Sequence, residues 1–159
     1  KPEDVKAIYQ RAMELGVRRL CVCDTCGHVT PNGVKKLLSF IDEEVIKDGG
    51  YQRRDIEVNW HGHQDRGLGV ANNIAAVEAG ADIINDVRGL SFDNNMIGIV
   101  ESFNIPVVIM HMKGNPQNMQ LNPEDKDIVN EILDFREDDV KESELKKKWS
   151  CQYPFQRLT

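Results

Sequence analysis

Four short apolar runs, Val17–Cys23, Ile56–Trp60, Asp82–Asp86 and Pro106–Met110, recur along the chain with helix-patterned stretches between them. This alternation constrains the fold more than any other feature, because each run has strand length and each intervening stretch has room for a helix. Pro2–Leu15 places Val5, Ile8, Ala12 and Leu15 at helical spacing before Gly16 stops it. Thr30-Pro31 opens the next helix, with Val34, Leu37, Leu38, Ile41 and Val45 as its buried stripe, and Gly49-Gly50 ends it. Val70–Ala79 is a small-residue helix closed by Gly80, and Asn94–Phe103 carries Met96, Ile99 and Val100 on one face. A further helix starts at Asn122-Pro123 with Ile128, Ile132, Leu133 and Phe135. The run Pro106–Met110 is apolar throughout, as expected of a strand covered on both faces. Strands about 25 to 38 residues apart suit right-handed βαβ crossovers.

The pattern predicts an α/β fold of four parallel βα units, half of the eight that a closed (βα)8 barrel of about 250 residues requires. A half barrel exposes strand edges and an inner face, so completion by dimerisation, and hence a homo-oligomer, is expected. The 159 residues read as one domain over 1–136 and a charged tail over 137–159, which holds Glu137-Asp138-Asp139 and Lys146-Lys147-Lys148. A net charge of −6 disfavours nucleic acid and anionic membrane as partners, since both need clustered cations. No apolar run reaches about 18 residues, and Lys1-Pro2-Glu3-Asp4 has neither signal-peptide nor transit-peptide character, so a cytoplasmic location is expected.

The chemistry-bearing residues gather where apolar runs give way to loops. His61 and His63 stand at i and i+2 on a strand end, so both imidazoles point the same way and can reach one divalent ion such as Zn, Mn or Mg. Cys23-x-x-Cys26, with Cys21 and His28 nearby, has metal-ligand spacing, but a second such pair is missing. Zinc, a redox pair and small hydrophobes within the strand remain alternatives for these thiols, the last expected of Cys21 and Cys23. Asp65 and Arg66 are expected to pair with each other or cap the next helix. Asn85 and Asp86 end the third run and satisfy either a ligand or loop backbone. His111, Lys113 and Gly114 follow the fourth, where an anion site competes with an ordinary loop.

Two stretches resemble known families. Cys23-Asp24-Thr25-Cys26-Gly27-His28-Val29-Thr30-Pro31 and His61-Gly62-His63-Gln64-Asp65-Arg66-Gly67-Leu68, followed by Ala71-Asn72, resemble the metal-dependent acyl-CoA condensing and lyase barrels of the isopropylmalate synthase, homocitrate synthase and hydroxymethylglutaryl-CoA lyase type. That resemblance implies His61 and His63 as metal ligands and Thr25 as a residue near the keto-acid carboxylate. The Asp-Arg-Glu strand start that supplies the family's third ligand and catalytic Arg has no counterpart. Ile83-Ile84-Asn85-Asp86-Val87-Arg88-Gly89-Leu90 and Val107-Val108-Ile109-Met110-His111-Met112-Lys113-Gly114-Asn115-Pro116-Gln117-Asn118-Met119-Gln120 resemble dihydropteroate synthase. Here the resemblance implies that Asn85 hydrogen-bonds a pterin ring and Met110 packs on it. The chain therefore reads as a chimera of residues 1–81 and 82–136, joined quietly near Glu78–Asp82. It would keep remnants of a divalent-metal site and a pterin site for a small-molecule ligand, without a complete active site. If it is an enzyme, the resemblances imply a transferase of the acyl-CoA condensing or the dihydropteroate synthase type.

Overall fold

The computed structural model describes residues 1–86, 96–109, 127, 129 and 130. Lys1–Met110 form one compact unit. Within it, α1 (Pro2–Glu14), β1 (Arg19–Asp24), α2 (Pro31–Phe40), β2 (Glu57–Gly62), α3 (Gly69–Glu78), β3 (Ile83–Asp86), α4 (Met96–Phe103) and β4 (Val107–Ile109) alternate in chain order. The four strands form one sheet in the order β1-β2-β3-β4, and every pairing is parallel. The predicted βα pattern is the observed one, with element ends moved by one or two residues. Of the helix expected from Asn122 only 127, 129 and 130 are described, the last two as helix, and the tail 137–159, Met110, His111, Lys113 and Gly114 lie outside the described residues.

Thr30 caps α2 as its sequence suggests: the hydroxyl accepts from Gly33 N at 3.2 Å, and Pro31 occupies the first turn, where no amide hydrogen is needed. The helix runs on as a wider π turn over Ile41–Lys47, which allows the neighbours Val45 and Ile46 both to be buried. On the sheet, Leu20, Val22, Val58, Trp60 and Ile84 are buried on one face, together with Val34, Leu38 and Ile41 of the α2 segment and Ala75 and Ala76 of α3. The opposite face is open. Arg19, Cys21 and Cys23 are exposed there, and Glu57, Asn59 and His61 are half-buried.

Two expectations fail for reasons of packing, and one expected helix packs in an unexpected way. In α1 the apolar residues at helical spacing are not the buried ones: Ile8 is 68% and Leu15 71% exposed, while Met13 is fully buried. The helix docks instead through polar reach, with Lys6 Nζ 2.7 Å from Asp48, Gln10 Nε2 donating to Val45 O at 3.2 Å and Tyr9 Oη to Cys21 O at 2.7 Å. β4 is not covered on both faces, since Val107 is buried but Val108 is 48% exposed. Cys21 and Cys23 are not packed hydrophobes, because strand alternation turns them to the open face and leaves Leu20 and Val22 inside.

The segment where a join was expected is tied into the sheet. Arg53, in a short 3-10 turn before β2, donates through Nη1 to Ile56 O at 2.6 Å and through Nη2 to Gly80 O at 2.6 Å and Asp82 Oδ2 at 2.7 Å. Its Nε lies 2.9 Å from Asp42 Oδ1. Asp82 Oδ2 also accepts from Val58 N at 2.7 Å, so the start of β3 is held against β2 by side chain as well as backbone.

Candidate functional site at the C-terminal strand ends

Parallel strands deliver their C-terminal ends to one rim, and the open face brings a row of polar side chains there. In register, Cys23 pairs with His61 and His61 with Asn85, so thiol, imidazole and amide lie side by side across three strands. His63 follows just past β2, its amide donating to Asp24 O at 3.2 Å.

The β1–α2 loop is shaped by Asp24. Its carboxylate accepts from His28 N at 3.1 Å and Val29 N at 3.0 Å, an Asx-type turn that leaves Thr25, Cys26 and His28 exposed. Gly27 takes φ +59°, and a Cβ there would lie 3.0 Å from His63 O and 3.1 Å from Asp65 N. The loop therefore packs directly on the backbone that follows β2. Asn72 of α3 closes the loop from beneath by donating to Val29 O at 2.9 Å.

The imidazoles of His61 and His63 meet edge to face, with ring centroids 5.2 Å apart at 78°. Burial, and then the neighbouring charge of His63, hold the His61 pKa below its ordinary value, and a hydrogen bond with Asn85 offsets part of this. This favours the neutral imidazole, which can accept a hydrogen bond or ligate a cation. His63 Nδ1 lies 3.4 Å from Asp65 Oδ2, so Asp65 faces the histidine rather than capping α3, whose N-cap is Leu68. Among the described residues, Asn59 Oδ1 and His61 Nδ1 are buried without a hydrogen-bond partner. Unmet polar atoms on an open face beside Asn85 suit a planar heterocycle that presents donors and acceptors along its edge.

Of the expected site residues, the structure brings His61, His63 and Asn85 together at the rim. Thr25 is exposed on the neighbouring loop, and Met110 lies outside the described residues. Among the described residues, no group of three or more His, Cys, Asp and Glu is placed to hold a metal ion. Asn59 was missed by sequence reading. Its only signal was a position two before His61, on the same strand face.

Residues 70–147 match the model of the pterin binding enzymes. The match begins upstream of the boundary expected at 82 and includes Asn85. Among curated relatives, the folic acid synthesis protein fol1 of Schizosaccharomyces pombe is 48% identical over 58 residues, 36% of this chain and 8% of that protein. Dihydropteroate synthase of Synechocystis is 35% identical over 60 residues, 38% of this chain and 21% of that protein. Homocitrate synthase of Saccharolobus islandicus is 34% identical over 108 residues, 67% of this chain and 21% of that protein.

The structure of Yersinia pestis dihydropteroate synthase with a sulfonamide drug complex superposes with a TM-score of 0.67 at 20% identity, covering 89% of this chain and 48% of that one. Vibrio fischeri 7,8-dihydropteroate synthase gives 0.62 at 23% identity, covering 88% and 47%. These likenesses show the fold, a partial barrel, and they extend across both halves of the expected chimera. The chain spans about half the length of the solved structures and between 8% and 21% of these curated relatives. No described helix is long and apolar enough to cross a membrane.

Proposed function

We propose that this chain is the pterin-binding portion of a dihydropteroate-synthase-like barrel, with Asn85 holding the edge of a pterin ring at the rim of the open sheet face. The observation that carries the reading is the position of Asn85: it lies inside the segment matching the pterin binding enzymes and sits in register beside His61. A carboxamide offers two donors and an acceptor in one plane, which suits the alternating edge of a pterin. Asn59 and His61, each with a buried atom that has no partner among the described residues, supply further polar contacts on the same face. Met110 would pack on the ring. This pterin reading is favoured over that of a two-family chimera lacking a complete site.

The chemistry of such a site is transfer of a pterin from its pyrophosphate ester to an arylamine. This segment binds and orients the ring, and groups on further barrel strands would hold the pyrophosphate. The test is quenching of pterin fluorescence by the purified chain. Asn85→Ala should weaken binding about fivefold, the effect of about 1 kcal/mol of net hydrogen bonding. Binding unchanged by Asn85→Ala, or no quenching by the wild type, would reject the assignment.

A second reading, a weak divalent-metal site on His61 and His63, is supported by the 5.2 Å approach of the two rings and by the homocitrate synthase likeness. A metal there would polarise a carbonyl oxygen, and the two imidazoles alone would hold it loosely. Cobalt titration should show binding lost in the His61→Ala/His63→Ala double variant; binding unaffected by that variant rejects the site. Self-association belongs to the same picture. Among the described residues β1 and β4 are the sheet edges, and a two-fold along the barrel axis would set β4 beside the partner's β1 in parallel. Sedimentation showing a monomer at all concentrations would exclude it.

A further inference from the structure

The thiols of Cys21 and Cys23 stand apart from the pterin reading. Both are exposed on the open face of β1, and their sulfurs lie 3.7 Å apart. We propose that Cys21 and Cys23 form a prepositioned dithiol pair that chelates a soft divalent cation of the zinc class, losing both protons as the ion binds.

The separation decides between the two things a cysteine pair can do. Two thiolates bound to one tetrahedral ion at about 2.3 Å each stand about 3.8 Å apart, so the pair can take an ion at almost its present spacing. A disulfide needs its sulfurs at about 2.05 Å, with Cα atoms most often about 5.5 to 6 Å apart. Residues i and i+2 of an extended strand stand about 6.6 Å apart at Cα, near the upper limit for a disulfide. Oxidation would therefore form a disulfide near the limit of its geometry, whereas chelation needs almost no change in the sulfur spacing.

The strand is also held in place. Its backbone pairs with β2 from Arg19↔Glu57 to Asp24↔Gly62, and Tyr9 Oη donates to Cys21 O at 2.7 Å from the other side. Little ordering is left to be done when an ion binds. Binding exchanges two thiol protons for one cation, M²⁺ + 2 RSH → M(SR)₂ + 2 H⁺, and solvent completes the coordination. Cys26 lies beyond the strand, in the loop shaped by Asp24, and has no part in the chelate.

The probe is cadmium, followed by its ultraviolet thiolate charge-transfer band and by proton release. The wild-type chain should bind one Cd²⁺ and release two protons. Cys21→Ser and Cys23→Ser should each weaken binding at least about tenfold, equivalent to 1.4 kcal/mol. Cys26→Ser, Cys151→Ser and the His61→Ala/His63→Ala pair should leave the band unchanged. Cys21→Ala and Cys23→Ala repeat the measurement if a serine variant is unfolded by circular dichroism. The proposal is overturned by absence of the band in the wild type, by its survival when Cys21 or Cys23 is replaced, or by its loss in Cys26→Ser, Cys151→Ser or the histidine pair.

Discussion

Arg53→Ala should destabilise the fold by about 3 kcal/mol. The side chain is 25% exposed, and its guanidinium binds two carbonyls and two carboxylates from three separate parts of the chain. Hydrogen bonds to a charged group contribute about 1.5 to 3 kcal/mol each in isolation, but they share one side chain and do not add. Asp82 is 43% exposed, so its ion pair is discounted for solvent screening. The remaining loss is mainly that of leaving Ile56 O, Gly80 O and Asp42 without their donor. For a chain of this size about 3 kcal/mol corresponds to roughly 6 to 12 °C in Tm.

Urea denaturation followed by circular dichroism reads the effect. Arg53→Lys should recover less than half of it, since an ammonium cannot reach all four acceptors from one position. The deficit should also depend on pH. Burial raises the Asp42 pKa even with Arg53 beside it, so the stability contributed by its proton is present at low pH and lost as pH rises through the raised folded value. Without Arg53 that folded value goes higher still, and the variant's deficit should grow with pH across the carboxylate range. A loss below about 0.5 kcal/mol, or full rescue by Lys, would refute the view that Arg53 ties β2 to β3.

Four further outcomes are expected. By NMR, His61 should titrate below the ordinary value of 6.5, moving up in His63→Gln, which removes a neighbouring charge, and further down in Asn85→Ala, which removes the offsetting hydrogen bond. The stability due to neutral His61 is complete above 6.5 and is lost as pH falls from there through the depressed folded value, so wild-type stability should decline on mild acidification and His61→Asn should flatten that decline. Gly27→Ala should cost about 1 to 2 kcal/mol more than Gly50→Ala: both have positive φ, but only at Gly27 would the new Cβ press on backbone atoms at 3.0 and 3.1 Å, and equal losses by denaturation would contradict this. The isolated chain should turn over neither an acyl-CoA with an α-keto acid nor a pterin pyrophosphate with an arylamine, because each missing acid, base or ligand costs on the order of 10² to 10⁴ in rate, and product formation abolished by His61→Ala or Asn85→Ala would disprove it.

Local pattern and chain length were enough to specify the strands, the helices between them and the parallel order, because strand length, Thr30-Pro31 and the glycine stops act within a few residues. The same holds for His61, His63 and Asn85 at strand ends, since each lies where an apolar run meets a loop. Register, and with it the side-by-side row of Cys23, His61 and Asn85, was not legible, because it is set by pairing between segments more than twenty residues apart. Asp65 turns toward His63 because the Gly27 loop packs there, which spacing along the chain cannot express.

The exposure of Cys21 and Cys23 has the same origin. Alternation along β1 puts Leu20 and Val22 on one face and the two thiols on the other, and the sequence by itself determines that separation. Which face is covered was decided only when the helical layer settled over Leu20 and Val22, leaving the thiols open beside Tyr9. Periodicity assigns residues to faces; the burial of a face depends on what packs against it, and that is a property of the whole tertiary arrangement.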